Sequence, residues 1–267
     1  MNTKLFSVRS IVSEAFSTVF SAAALPLIFI VCLMNIFSET VQLLKPIANT
    51  IDEIVGAFGF VAMIGFFVIV VGIGFLLLTL YGFISTHISL LIVDKKSITW
   101  SNILPSKIIF IRFFCKLLIL LLLVTFFTSL DVVLIIMSKQ FNFFIKSILY
   151  FVSACVFIFG LYSLIKLSFT SYFIVEDVGV IDSFKKSWNI TKGYIIKILG
   201  IIVCILFADT VIGIISRIIT MIIPLSIWLP ILLRIIVMSL TSAAYYLAFA
   251  RVYRILTHSD AAHSLAE

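Results

Sequence analysis

The chain has 267 residues, 63% of them hydrophobic and only 12% charged, with 19 Lys and Arg against 12 Asp and Glu. A soluble domain runs roughly 45–50% apolar and about 25% charged, and it has too little interior to hide this much apolar surface, so the expected solvent for most of the chain is lipid. That excludes a cytosolic enzyme, a secreted disulfide scaffold and a disordered tail. The net charge of +7 falls between apolar runs, where it orients spans in a bilayer, so no nucleic-acid partner is expected.

At the amino end Leu5, Val8, Val12, Phe16 and Val19 recur at three- and four-residue steps, and Ser10, Ser13, Glu14 and Ser17 fill the opposite face. This predicts an amphipathic helix lying on the inner leaflet. It leads into 24 uncharged residues between Glu14 and Glu39, longer than a signal-peptide core and expected to be a retained span kinked at Pro26. About 20 apolar residues cross a bilayer. Six runs qualify: Phe16–Phe37, Ala57–Ile84, Phe113–Met137, Ser147–Val175, Ile195–Ser216 and Ile231–Leu256. The predicted fold is an all-α polytopic membrane protein, one integral domain over residues 1–267, with six transmembrane helices and cytoplasmic interfacial helices.

The second run needs arbitration. The 40 uncharged residues between Glu53 and Asp94 would make about 60 Å of helix, too long for one span and barely enough for two. With six spans and the amino terminus inside, fourteen of the nineteen basic residues face the cytoplasm; a hairpin within 54–93 would carry the cluster from Lys95 to Lys116 outside, against the positive-inside rule. The expectation is therefore one span, then a stretch to Val93 bending along the inner interface, with both termini on the cytoplasmic side of the inner (plasma) membrane. Gly65, Gly72 and Thr79, seven residues apart, are expected to form a packing seam.

Further along, Ile98–Pro105 carries Trp100 and Leu104 and is a weaker interfacial segment. A stronger one covers about 178–191, with Ile181, Phe184 and Trp188 on one face and Asp182, Lys185, Lys186 and Asn189 away from it; Asp177 is placed to cap it. Each of three helical hairpins would then follow an interfacial segment, a parallel threefold repeat. The 217–234 connection, with Pro224, Trp228 and Pro230, reads as a short outer loop.

The stretch after the fourth run reads Val175-Glu176-Asp177-Val178-Gly179, then Ser183, Ser187-Trp188 and Thr191-Lys192-Gly193, and the chain closes on Tyr245-Tyr246 and Arg251-Val252-Tyr253-Arg254. Together with six spans this resembles the YciC-like inner-membrane proteins of bacteria and the membrane domain attached to some glycerophosphoryl diester phosphodiesterases. The resemblance implies a six-span fold and a role in envelope homeostasis. No separate soluble catalytic domain is expected, so no catalytic residues carry over. Read physically, Asp177 and Gly179 turn the chain as it leaves the bilayer, while Ser183 and Ser187, one helical turn apart, allow close packing.

Charges within the apolar runs are costly in hydrocarbon. Asp209 lies about 14 residues, roughly 21 Å, into the fifth run. Asp131, Arg217 and Arg234 lie near the outer ends of their own runs. All four are expected in the outer half, clustered together; Asp209 is expected to pair with Arg217 or Arg234, or to be hydrogen-bonded inside the bundle. Cys32, Cys115, Cys155 and Cys204 read as apolar fillers, and His87, His258 and His263 lack metal-ligand spacing, so neither a metal nor another cofactor is expected. Asp131 and Asp209 lack the Gly-x-Gly-Asp context of aspartyl intramembrane proteases.

The function expected is a non-enzymatic structural or accessory role in the envelope, the basic inner segments lying against anionic inner-leaflet headgroups at about 1 kcal/mol per residue. Two alternatives stand beside it. One is a transporter or lipid-handling permease with Asp209 in its path. The other is a membrane subunit for a soluble protein partner docking at the cytoplasmic face near Lys185, Lys186 and Trp188. A continuous water-accessible cavity at Asp209 favours the permease; a dry, closely packed bundle there favours the accessory role.

Overall fold

The computed structural model describes residues 6–43, 71–99, 103, 106–139, 141, 143–222 and 228–264. Gly65, Trp100, Leu104 and Pro224, which figure in the expectations above, lie outside them. Among the described residues there is no strand, and six helices are long and apolar enough to cross a membrane. The chain is an all-α polytopic membrane protein. It divides into two compact units: a terminal unit of residues 4–105 and 200–255, and a middle unit built on 106–199.

The terminal unit begins with α1 (Val8–Val19). Ile11, Ala15 and Val19 form its buried stripe, while the predicted apolar residues Val8, Val12 and Phe16 are only half-buried. The stripe is turned toward the protein because Ala15 is small enough for close approach. The helix stops where hydroxyls turn back on their own backbone, Thr18 to the Glu14 carbonyl at 2.7 Å and Ser21 to the Thr18 carbonyl at 2.6 Å. Such bonds offer the chain an alternative to further helix. A 3-10 turn over Ala22–Ala24 follows, and then α2 (Leu25–Leu43). Pro26 is therefore the second residue of α2 instead of an interior kink; in the first turn its missing N–H has no intrahelical acceptor to lose.

Helix α3 (Val71–Val93) runs unbroken past Ile84, so the described part of the expected span and the stretch after it are one continuous helix. That end is a Schellman motif: Lys95, at φ 55°, donates its N–H to the Ile92 carbonyl, and Lys96 donates to the Leu91 carbonyl. At Gly72 an added Cβ would meet nothing within 4 Å, so Gly72 makes no close approach among the described residues, although Thr79 is fully buried.

The middle unit contains α4 (Lys107–Ser138), α5 (Phe143–Lys166), the short α6 (Thr170–Val175) and α7 (Val180–Ile190). Ser106 caps α4, its Oγ accepting the Ile109 N–H at 3.3 Å. Helix α4 holds Lys107, Arg112 and Lys116 in its first three turns, before the wholly apolar stretch begins. Gly160 of α5 faces Phe127 of α4; a Cβ there would come within 3.3 Å of the ring. The remaining spans are α8 (Ile195–Ile222) and α9 (Trp228–Ser264).

Within the terminal unit, α9 is the shared core. Ala243, Ala244, Leu247, Ala248, Ala250 and Tyr253 are all fully buried, and alanines at this density let neighbouring helices approach closely. This small-residue tract, not the seam expected on the second span, is where the helices of this unit converge.

Candidate functional site

Two turns of α9 carry one group of polar contacts of the terminal unit. The Arg234 guanidinium pairs with Glu39 of α2 at 3.2 Å. The Ser239 hydroxyl accepts from the Asn35 side-chain amide at 3.1 Å, and Thr241 donates to Asp209 Oδ1 of α8 at 2.7 Å. The two α2 pairings run α2 antiparallel to α9. Of the arrangements expected for Asp209, the Thr241 contact shows the hydrogen bond inside the bundle. Its hydrogen bond goes to a threonine inside the bundle, and Arg234 is taken by Glu39, a residue that sequence reasoning used only to mark the end of the first run.

The same residues enclose space. A cavity of about 500 Å³ is lined by Glu39, Asp209, Thr210, Ser216, Arg217 and Arg234, with Gly213, Ile231 and Met238 completing its wall. Asp209, Arg217 and Arg234 are thus brought to one site. A second cavity of about 270 Å³ also reaches Asp209 and Met238, and is walled by Tyr81, Thr241, Tyr245 and Tyr246. Tyr81 meets Tyr246 edge to face at 6.1 Å, and Tyr245 lies across Tyr246 at 5.9 Å. The threonine and the three tyrosines were not assigned to the site from sequence, because their contribution depends on which face of α9 and α3 turns inward.

Asp131 does not join this group. It belongs to the middle unit, where its carboxylate accepts from the Ser153 hydroxyl of α5. It lines an apolar pocket with Phe127, Thr128, Phe157, Gly160 and Leu164. An interhelical hydrogen bond of this kind satisfies a carboxyl that hydrocarbon cannot.

The motif after the fourth run has its own geometry. Helix α5 breaks at Lys166, and residues 167–169 turn before α6 resumes. A continuous helix would bond the Phe169 N–H to Ile165 and the Thr170 N–H to Lys166. Instead Thr170 donates to Leu167. Ser187 of α7, fully buried, fills both gaps: its Oγ donates to the Lys166 carbonyl at 2.8 Å and accepts the Phe169 N–H at 3.2 Å. The Lys166 ammonium answers from the other side, donating to the Trp188 carbonyl at 3.1 Å and lying 5.4 Å from the Trp188 ring. Ser183 is also fully buried, but its Oγ bonds to local carbonyls, Gly179 at 2.8 Å and Val178 at 3.4 Å. So α7 packs through its serine face and leaves Ile181 and Trp188 exposed.

Asp177 does not cap α7. The N-cap is Gly179, with no side-chain bond. Asp177 sits at φ 67° as the left-handed residue of a Schellman motif ending α6, with its N–H on Ile174 and that of Val178 on Phe173. Its carboxylate pairs with Arg112 at 2.6 Å, the two side chains 72% and 30% exposed. An ion pair this open contributes little. Arg112→Ala is expected to lower stability by less than about 1 kcal/mol, read by thermal unfolding of the full chain in detergent.

At the opposite end of the terminal unit from the cavity, Arg251 pairs with Glu14 and donates to Thr18 at 2.7 Å, fixing α1 to α9. Arg254 grips Asp94 through two parallel bonds, Nε to Oδ1 at 2.7 Å and Nη2 to Oδ2 at 2.5 Å. No group of three His, Cys, Asp or Glu able to hold a metal ion occurs among the described residues.

Fold and site together define a multi-pass helical membrane protein with a mixed-charge cavity set within one bundle of its spans. No family model, curated protein or solved structure matches the chain.

Proposed function

We propose that this chain is a non-enzymatic protein of a bacterial inner membrane that handles lipid-like molecules, taking the polar end of an amphipathic ligand into the mixed-charge cavity of its terminal unit. The observation that carries this reading is the position of Asp209, shared by two cavities of about 500 and 270 Å³. A carboxylate within a span, held beside open volume and two arginines, is the arrangement expected of a ligand path. The resemblance to YciC-like proteins supports an envelope role. The distribution of lysine and arginine supports cytoplasmic termini, with the Arg217 and Arg234 end of the cavity toward the outer leaflet.

Gly213 provides the test. It lines the larger cavity, and a Cβ there would meet nothing within 4 Å. Gly213→Leu should therefore fill the cavity without straining the fold, and should favour the helix by about 0.8 kcal/mol. The variant is expected to express and unfold like the native chain but to lose the phospholipid that copurifies with it, measured by lipid-resolved mass spectrometry. A folded Gly213→Leu protein with an unchanged lipid complement would overturn the proposal.

A further inference from the structure

The larger cavity is neutral in sum yet strongly polar. It sets two carboxylates, Glu39 and Asp209, against two guanidinium groups, Arg217 and Arg234. A site built for an anion would leave out the carboxylates, and one built for a cation would leave out the arginines. Glu39 and Arg234 meet at 3.2 Å, whereas Asp209 and Arg217 are eight residues apart on α8, about 12 Å along the axis. Glu39 is thus engaged with Arg234, and Asp209, the carboxylate carried by α8, accepts from the Thr241 hydroxyl.

The surroundings of Asp209 sharpen the choice. Its second cavity is walled by Tyr81, Tyr245 and Tyr246, and aromatic faces beside a carboxylate recognise an organic ammonium through cation–π attraction and charge together. Around the arginine end, Ile214, Ile218 and Leu232 are 54%, 49% and 55% exposed, an apolar surface on which acyl chains can lie while the headgroup turns inward.

From this geometry we infer that the ligand is a zwitterionic aminophospholipid, its primary ammonium held at Asp209 beside the tyrosines and its phosphate held at Arg217 and Arg234. The inference rests on the lipid-handling reading and adds the headgroup class. The same zwitterion also exists as a soluble compound, phosphoethanolamine, so both sources enter the test.

The experiment is equilibrium binding to the purified full chain in detergent, read by native mass spectrometry. The probes are phosphatidylethanolamine, its N-acetyl derivative (phosphate kept, ammonium removed), phosphatidylglycerol, and soluble phosphoethanolamine. A charge-assisted hydrogen bond corresponds to a preference of about tenfold, so phosphatidylethanolamine should bind about tenfold tighter than its N-acetyl derivative or phosphatidylglycerol. Asp209→Asn keeps an acceptor for Thr241 and should erase that preference while leaving phosphatidylglycerol bound. Arg217→Gln should weaken both phospholipids alike. Equal binding of phosphatidylethanolamine and its N-acetyl derivative to the native chain overturns the zwitterion assignment and leaves lipid handling standing. Retention of phosphoethanolamine with no phospholipid keeps the zwitterion and overturns lipid handling. Retention of none overturns both. The comparison on the native chain decides the matter even if Asp209→Asn does not fold.

Discussion

Ser187→Ala is expected to destabilise the middle unit by about 2–4 kcal/mol, since the Lys166 carbonyl and the Phe169 N–H would each lose a partner in a buried place. A single oxygen serves both groups because a hydroxyl donates and accepts at once, so no apolar residue of similar size replaces it. Ser183→Ala is the internal contrast. Its hydroxyl bonds to the nearby carbonyls of Gly179 and Val178, and its loss should cost less than about 1 kcal/mol. The check is thermal unfolding of both variants in detergent, with protease cutting between Lys166 and Thr170 as a local readout. If the two variants unfold alike, Ser187 is not what holds the break in the fourth span.

Arg254→Met should cost about 3 kcal/mol. Arg254 and Asp94 are only 22% and 17% exposed at the side chain, and removing one member of a poorly solvated pair leaves the other charge stranded. Lys96, 3.5 Å from Asp94, is too exposed to compensate in full. Arg254→Lys should recover only part of the loss, because an ammonium cannot reproduce the two parallel bonds of the guanidinium fork. The double variant Asp94→Asn with Arg254→Met should be milder than the sum of its parts, a coupling that a double-mutant cycle measures. Strict additivity would mean that the pair does not join the ends of α3 and α9. Arg112 and Asp177 form an equally short pair in the open, with a single bond to the carboxylate; the predicted difference between the two pairs comes from solvent exposure and from the missing second bond.

The fold class could be read directly from the chain, for a physical reason: lipid forces each spanning segment to satisfy its own backbone, so hydropathy and helix coincide. Asp209, Arg217 and Arg234 were also legible as residues of interest, since a charge inside an apolar run is costly wherever the run packs. Their partners were not legible. Thr241 and Glu39 lie 32 residues beyond Asp209 and 195 residues before Arg234, and nothing local links them. The choice of partners, Glu39 taking Arg234 and Thr241 taking Asp209, follows from depth along packed helices, which composition does not encode. Asp131 shared the chemistry of the site but not its unit.

Turn chemistry misled where an unfavoured residue fills a special conformation. Asp177 looked like a helix cap because aspartate caps helices. It instead adopts the left-handed C′ position that glycine more often fills, and Lys95 does the same after α3. Likewise Pro26 announced a kink but stands in a first turn, because the preceding hydroxyls had already ended α1.

By itself the sequence determined that this chain is helical and lives in a bilayer, since apolar surface on this scale has no other solvent. It also marked which charges needed an explanation. Only the tertiary structure decided that Ser187 mends a broken helix, that the alanines of α9 form the shared core, and that Asp209 borders open space. Each of these depends on which faces meet across long separations in the chain, and helix periodicity specifies a face without naming its neighbour.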